Sequence, residues 1–511
     1  MTAQELLAQI SDYCRRTGVA ESTFGLRAVN DGKLANRLRN GGRVTTHTVD
    51  RVRAFIGANG AGAQTHLDVV IRGASALPPA PSIVDAPPTF VPTGAAGSGA
   101  STALNSAIAA ATPRYAVRSS PVPPDLLMAA RPEAAAPDPQ RNFRFFDNRQ
   151  KYLLFVNTCS EKWVVASRVG QELANIHPRP PAVRLFDAGV GDGTVLSHVL
   201  RSMHDRFPAM PFYVVGKEIS LEDVRLTLQK LADRFVEHPA TALVLTNLAY
   251  ADAPWLHVKS VSAASSLVWH EVALAGTTAH KFEEQIAGLE PFLAQNWMAR
   301  VSAKTGNPVY ERPVVLIIYR DDHRFLLDPI IPRPGGTMAG YDLVIASQPY
   351  RARAPLDFKA KRVIAPLARA LGPGGRLIAI HSHGGDPGLE IIQHVWPGDS
   401  PFLHDRHQIM KAVKQELGPA GRDLNFNVNS DQRALFRYDM HTLPSEVCDA
   451  IGTSTLFAAW NAAIYVAQVE DGRLATVVGD SRYLDATREV LRKHGGLWFE
   501  DESYVISRRR G

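Results

Sequence analysis

From about residue 143 onward, short uninterrupted apolar runs alternate with stretches of helical periodicity. The runs at 183–186, 212–215, 242–245, 343–346 and 377–380 have strand length. Apolar residues recur with helical spacing over 221–235 and 359–371. A strand that is apolar at successive positions suits a sheet buried on both faces, and strands alternating with helices suit parallel pairing. The pattern predicts an α/β protein with a doubly wound, mainly parallel, Rossmann-like sheet.

The N-terminal 57 residues have a different rhythm. Leu6, Leu7 and Ile10 predict a first helix, a further helix is expected over 33–39, and Thr45 or Thr46 can cap a last one running through Val49, Val52, Phe55 and Ile56. Between the two regions, 13 of the chain's 35 prolines fall within 72–140, amid alanine, serine and glycine. Such a segment cannot bury enough apolar side chain to offset its ordering entropy, so it reads as a linker. No internal repeat is visible.

At 511 residues the chain is too long for one compact domain, and 45% hydrophobic with 21% charged residues excludes a wholly disordered or fibrous protein. Mean hydropathy is −0.11, and no uncharged apolar run of ~18 residues predicts a membrane span. The N-terminus lacks the basic patch and apolar core of a secretory signal. Cys14, Cys159 and Cys448 are widely separated and form neither a metal knuckle nor a disulfide framework. A cytoplasmic setting and no bound metal are expected. The net charge is +6, and nine Lys and Arg against five Asp and Glu up to residue 56 place +4 of it in the N-terminal module. A small basic module suggests an acidic partner.

The most informative stretch is Val183-Arg184-Leu185-Phe186-Asp187-Ala188-Gly189-Val190-Gly191-Asp192-Gly193-Thr194. A strand ends in an acid, and three glycines follow at alternate positions before a helix. A dinucleotide fingerprint, G-x-G-x-x-G, would need glycine at 194, which is threonine. The D-x-G-x-G-x-G pattern resembles motif I of the class I S-adenosylmethionine-dependent methyltransferases. Further segments match in order: Phe212 to Ser220, which carries an acid at Glu218; Thr241 to Leu248; Tyr341 to Tyr350; and the turn Leu371 to Ile378. The likeness covers about 180–257 and 340–385.

This resemblance implies that S-adenosylmethionine binds as co-substrate through Asp187, Gly189, Gly191, Asp192 and Gly193. Glu218 would then accept the two ribose hydroxyls and Asn247 would meet the adenine amino group. Ser347-Gln348-Pro349-Tyr350 resembles the [D/N/S]-P-P-[Y/F/W] motif of amino methyltransferases, with Gln348 replacing the first proline. That implies Ser347 as a hydrogen-bond acceptor for the target nitrogen and Tyr350 as a stacking ring. His381, which follows the fifth strand, is a candidate general base. The long segment 258–340, with a helix expected at 282–297 and a strand pair turning at 321–323, is expected to cap the substrate; Trp269, His270 and Glu271 are candidates within it.

Thr17 to Thr23, with Arg37 to Thr46 following, resembles the phage-repressor-like helix-turn-helix family, which implies a DNA or protein contact through residues 1–57. Two alternatives to a methyltransferase of unidentified acceptor follow. One is a DNA-binding regulator with a non-catalytic, methyltransferase-like sensor domain, and the other is a nucleic-acid N-methyltransferase.

Overall fold

In the computed structural model, the residues described are 3–17, 19–29, 31, 33–39, 46–59, 149–302, 308–335, 339–442, 444–447, 451–477, 479 and 481–510. The linker read at 72–140 lies outside them. The chain divides into two compact units, 1–121 and 122–511.

The first unit contains the helices Ala3–Thr17, Glu21–Val29, Leu34–Arg39 and Thr46–Asn59. The apolar positions that predicted them meet in one small core of Leu6, Ile10, Tyr13, Phe24, Leu34, Leu38 and Val52. The rings of Tyr13, Phe24 and Phe55 cluster with centroids 5.2–6.0 Å apart. Glu21, at the start of the second helix, accepts from Ser11 Oγ at 2.8 Å and pairs with Arg39.

The second unit is built on a ten-stranded sheet. Its strands and a separate short pair are β1 (Val183–Asp187), β2 (Phe212–Lys217), β3 (Thr241–Thr246), β4 (Val268–Leu274), β5 (Ala299–Val301), β6 (Pro308–Tyr310), β7 (Val314–Arg320), β8 (Tyr341–Ser347), β9 (Leu371–Ser382), β10 (Leu424–Asn427), β11 (Leu435–Asp439) and β12 (Trp498–Arg508). The sheet order is β10-β12-β9-β8-β1-β2-β3-β7-β4, with β11 also on β12 and β5 paired only with β6. The five runs seen in the sequence are the parallel centre, β3-β2-β1-β8-β9, and β12 joins β9 antiparallel. This is a doubly wound, Rossmann-like sheet. Phe186, Val215, Val244 and Val344 face one buried layer, while Leu185, Val214, Leu245 and Ile345 face the other. Both faces are apolar, so both are covered by helices.

The chain leaves β1 toward β2 and β3, then returns to the other side of β1 as β8. Strand order therefore reverses between β1 and β8, and the loops after these two strands diverge there, opening the crevice where ligands of such sheets sit.

The segment 258–340 departs from expectation. Two of its strands widen the sheet. β7 pairs antiparallel with β3, and β4 pairs parallel with β7. After β7 the chain forms a 3₁₀ turn, Asp321–His323, and a short helix, Arg324–Leu327, in place of the expected second strand. The expected helix at 282–297 is two, Ala279–Ala287 and Glu290–Asn296. Trp269, His270 and Glu271 lie on β4, where Glu271 accepts from the Tyr319 hydroxyl.

A further helical layer packs beside the sheet. Helices Arg149–Thr158, Pro387–Val395, Thr453–Val466 and Arg482–His494 share a third core containing Tyr152, Phe155, Ile391, Trp460, Tyr465 and Val490, together with Tyr438 of β11 and Phe499 of β12. Among the described residues, no helix is long and apolar enough to cross a membrane.

Asn247 has a structural task where the sequence suggested an adenine contact. It is buried; its Nδ2 donates to Arg312 O at 2.8 Å and its Oδ1 accepts from Val314 N at 2.8 Å. It pins the entry of β7 against the end of β3. Asn247→Ala leaves both backbone groups unpaired, and should lower the unfolding free energy by about 2–4 kcal/mol, measured by urea denaturation with an unchanged m-value.

Candidate active site

The turn after β1 gathers most of the residues singled out in the sequence. Asp187 ends β1, and its Oδ1 accepts from Gly189 N at 3.0 Å. Gly191 and Gly193 have φ of 57° and 79°, the left-handed region that glycine enters without a Cβ penalty. The helix Thr194–Arg206 begins at once, its first residue bonded to Asp192. Lys230 closes on Asp192 from the neighbouring helix, and Thr227 Oγ1 donates to Gly191 O at 2.8 Å.

Glu218, just past β2, ties the turn to the next strand. Its Oε2 accepts from Gly191 N at 2.9 Å, and its Oε1 accepts from Ile219 N and Ser220 N at 2.7 and 2.9 Å. Three of about four lone-pair sites on this carboxylate are thus used, leaving room for one further donor. The other side of the turn faces β8: a Cβ placed on Gly189 would meet only Ser347 O, at 3.9 Å.

Tyr152 and Lys162, which the sequence reading missed, come from the helices preceding β1. The Tyr152 hydroxyl accepts from Asp192 N at 3.3 Å and would lie 3.2 Å from a Cβ on Gly191. Lys162 Nζ stands 5.7 Å from the Tyr152 ring centroid and 3.1 Å from Glu161 Oε2, and its charge acts on Asp187, Asp192 and Asp501. Neither helix has a motif; only the fold brings them over the turn. Tyr250, past β3, donates to Pro349 O at 2.8 Å and receives Lys217 Nζ over its ring at 4.8 Å.

The surroundings of the turn are acidic and dry. Asp187, Asp192, Glu218, Glu161 and Asp501 stand against Lys162, Lys217 and Lys230 among the described residues. Asp187 is 2% exposed; burial, with the nearby Glu218 charge adding, raises its pKa to about 7. Burial and the Glu161 charge push Asp501 well up. Lys162 and Lys230 outweigh burial at Asp192 and hold its pKa below the usual carboxylate value.

Tyr350 and His381 do meet, but not as a stacking ring and a free base. Tyr350 Oη lies 2.5 Å from His381 Nδ1, and His381 Nε2 lies 2.6 Å from Glu502 Oε1. Glu502 also accepts from Arg406 N at 2.8 Å and Arg406 Nη1 at 3.1 Å. An ionised carboxylate only accepts, so His381 Nε2 carries the proton and Nδ1 receives the Tyr350 hydroxyl. Burial lowers the His381 pKa, in keeping with this neutral form. Both ring nitrogens are occupied, and Tyr350 is buried with Lys359 Nζ 5.0 Å from its ring centroid. The three residues therefore clamp the loop after β8. Ser347 ends that strand beside the glycine turn.

No protein-family model matches the chain, nor does any curated protein. Among solved structures, the fold is similar to geranyl diphosphate methyltransferase in complex with GPP and sinefungin, at 12% identity over 67% of this chain and 78% of that one, with a TM-score of 0.26. It is also similar to the plantazolicin methyltransferase BpumL in complex with SAH, at 9% identity over 71% and 91% with a TM-score of 0.25. A third is PKMT2 from Rickettsia typhi in complex with AdoHcy, at 9% identity over 68% and 52% with a TM-score of 0.23. At these scores the likeness bears on no residue's role.

The glycines differ in what they tolerate. A Cβ on Gly193 would fall 2.8 Å from Thr227 Cα with φ of 79°, so Gly193→Ala should cost about 1–3 kcal/mol of stability or more. Gly189→Ala meets ordinary contact only, and should stay within about 0.5 kcal/mol of wild type. Thermal denaturation of the two variants side by side distinguishes these outcomes.

Proposed function

We propose that this protein binds S-adenosylmethionine at the turn 187–193 and transfers its methyl group to an acceptor. The observation that carries this reading is the charge of the crevice. A glycine turn at a strand-order reversal can serve phosphates through its N–H groups, but here carboxylates already take the N–H groups of Gly189 and Gly191. Desolvated acids in excess of lysines favour a cation, and a sulfonium is one. A dinucleotide would bring its phosphates into the same acidic space.

In this reading Glu218 takes a ribose hydroxyl on its remaining acceptor site, Gly189 leaves its face open to the ligand, and the buried acids stabilise positive charge. Asn247 drops out of the ligand set, because its amide is committed to β7. The reaction is an in-line displacement at the methyl carbon, to which the protein contributes proximity and exclusion of water. The clamp of Tyr350, His381 and Glu502 fixes the loop after β8, which the missing proline at 348 would otherwise leave looser.

Calorimetric titration with S-adenosylmethionine should show saturable binding that NADH does not reproduce. Proton linkage gives a sharper test. The unfolded chain loses the Asp187 proton near its ordinary value of ~3.9 and the folded chain at about 7, so raising pH through that window destabilises the unliganded fold. A cation favours the carboxylate, so binding below pH 7 releases a proton. Affinity should rise by up to ~10-fold per unit toward pH 7 and then level off; Asp187→Asn should bind more weakly and flatten the profile. Equal affinity for NADH, or a profile unchanged by Asp187→Asn, would sink the reading.

The N-terminal unit supports a second, separate reading as a duplex-binding module. Arg15, Arg16, Arg37, Arg39, Arg51 and Arg53 are exposed on a small helical core. Fluorescence anisotropy of the full chain with duplex DNA should show binding that weakens steeply between 50 and 200 mM salt; no binding, or binding indifferent to salt, rejects it.

A further inference from the structure

Asp501 lies on β12 opposite Ser382 of β9 and is wholly buried. Its two oxygens accept from Gln348 Nε2 at 3.4 and 3.3 Å, and the same nitrogen lies 3.2 Å from Ser382 Oγ. The charged groups acting on it are Glu161, Asp386 and Lys162. Glu161 Oε2 pairs with Lys162 Nζ at 3.1 Å, and Asp386 is committed to Leu389 N and Glu500 N. A buried carboxyl among other acids is costly unless it stays protonated or meets a cation.

The residue that holds Asp501 is unusual in its own right. Gln348 has φ of 47°, a region a residue with a Cβ rarely adopts and that clusters at functional sites. It directly follows Ser347, whose carbonyl borders Gly189. Asp501 pairs with Ser382 at the end of β9, which runs parallel to β8 and, through it, to β1, and this register puts Asp501 at the same end of the sheet as the glycine turn. A backbone in a disfavoured conformation thus aims an amide at an acid beside the proposed donor site.

We propose that Asp501 faces the transferred methyl group and takes the proton of the methyl acceptor, and that this acceptor is an amine. The proposal rests on the donor reading above. As the sulfonium and an amine, arriving as R–NH₃⁺, enter, the proton that buried Asp501 holds leaves to solvent, so that Asp501 meets the ammonium as a carboxylate. One N–H bond breaks; the proton goes to an Asp501 oxygen, and its electron pair stays on nitrogen. That pair forms the new N–C bond as the C–S bond breaks, with the C–S pair left on sulfur as a neutral thioether. The product amine carries the positive charge that the sulfonium gives up, and the Asp501 proton returns to solvent when the site reopens. The burial that disfavours a lone carboxylate favours the protonated acid at the moment of attack. Alcohol and carboxylate acceptors do not arrive as cations and gain nothing from this acid.

Sinefungin tests the geometry without knowledge of the acceptor, because it carries an ammonium where the donor carries its S-methyl group, whereas S-adenosylhomocysteine carries a neutral sulfur. Calorimetric Kd values for both ligands should show wild type preferring sinefungin by about tenfold or more, as a charge-assisted contact to a buried acid predicts. Asp501→Asn should lose most of that preference while S-adenosylhomocysteine binding stays within about twofold. An unchanged preference, or equal losses for both ligands, overturns the proposal. Wild type binding neither ligand overturns the donor reading itself. Should Asp501→Asn not fold, wild type decides: lysate labelled by tritiated S-adenosylmethionine should yield counts that survive mild base and bind a cation exchanger. Base-labile counts, released as methanol from methyl esters, or base-stable counts in neutral products overturn the amine assignment.

Discussion

Three backbone N–H groups converge on the carboxylate of Glu218, and the site takes its form from that convergence. One comes from the turn after β1 and two from the start of the helix after β2, so a single side chain locks the ends of adjacent strands at a fixed separation. Charge-assisted bonds of this kind are stronger than neutral ones. With Gly191 N held by Glu218 and Gly189 N by Asp187, the turn presents carboxylate oxygens where phosphate-binding turns present N–H groups. Trp297 Nε1, donating to Glu218 O at 3.1 Å, secures the same residue from the far side.

How much of this was legible in the sequence depended on whether the signal was local. The five central strands and the turn from Asp187 to Gly193 were readable, because an apolar run ending in an acid and spaced glycines declares itself within a dozen residues. The pairing of β7 with β3 and β4 was not, since an antiparallel strand inserted at a sheet edge joins residues about 70 apart with no motif to announce it. Asn247 shows the hazard directly: its residue type fitted a ligand contact, but the inserted strand consumed its amide. The third core was invisible for a related reason. Its helices come from both ends of the unit, and only their shared core shows that they belong together. Asp501 left a faint trace, as Glu500-Asp501-Glu502 are three successive acids inside a strand, a composition strands avoid unless the acids have work to do.

The loop after β8 shows one constraint replaced by another. The related motif stiffens this loop with two prolines, and here only Pro349 remains. Stiffness is restored from outside: the Tyr350 hydroxyl is held by His381, His381 by Glu502, and Glu502 by Arg406, while Tyr250 grips Pro349 O and the Gln348 amide spans to β12. A proline limits φ through covalent geometry. A buried polar network achieves the same by making each alternative conformation leave a polar group unpaired. The second solution costs more residues, but it couples the loop to β9 and β12 and so to the helices whose core includes Phe499 of β12.

Charge then constrains the order of events. Asp187 and Asp501 are almost wholly buried, and burial makes each hold its proton more readily than in water. On the proposed reading, a sulfonium entering near Asp187 would restore the charge of that acid and be stabilised by it. A second cation brought beside it would be repelled by the first, at the short distances and low dielectric where such repulsion is strongest. On the proposed reading, an amine can share the space with a sulfonium only after giving up a proton, and Asp501 can take it once the entering cations have displaced its own. Donor first, acceptor second and deprotonation before attack is therefore the sequence that keeps the net charge of the closed crevice lowest at every stage.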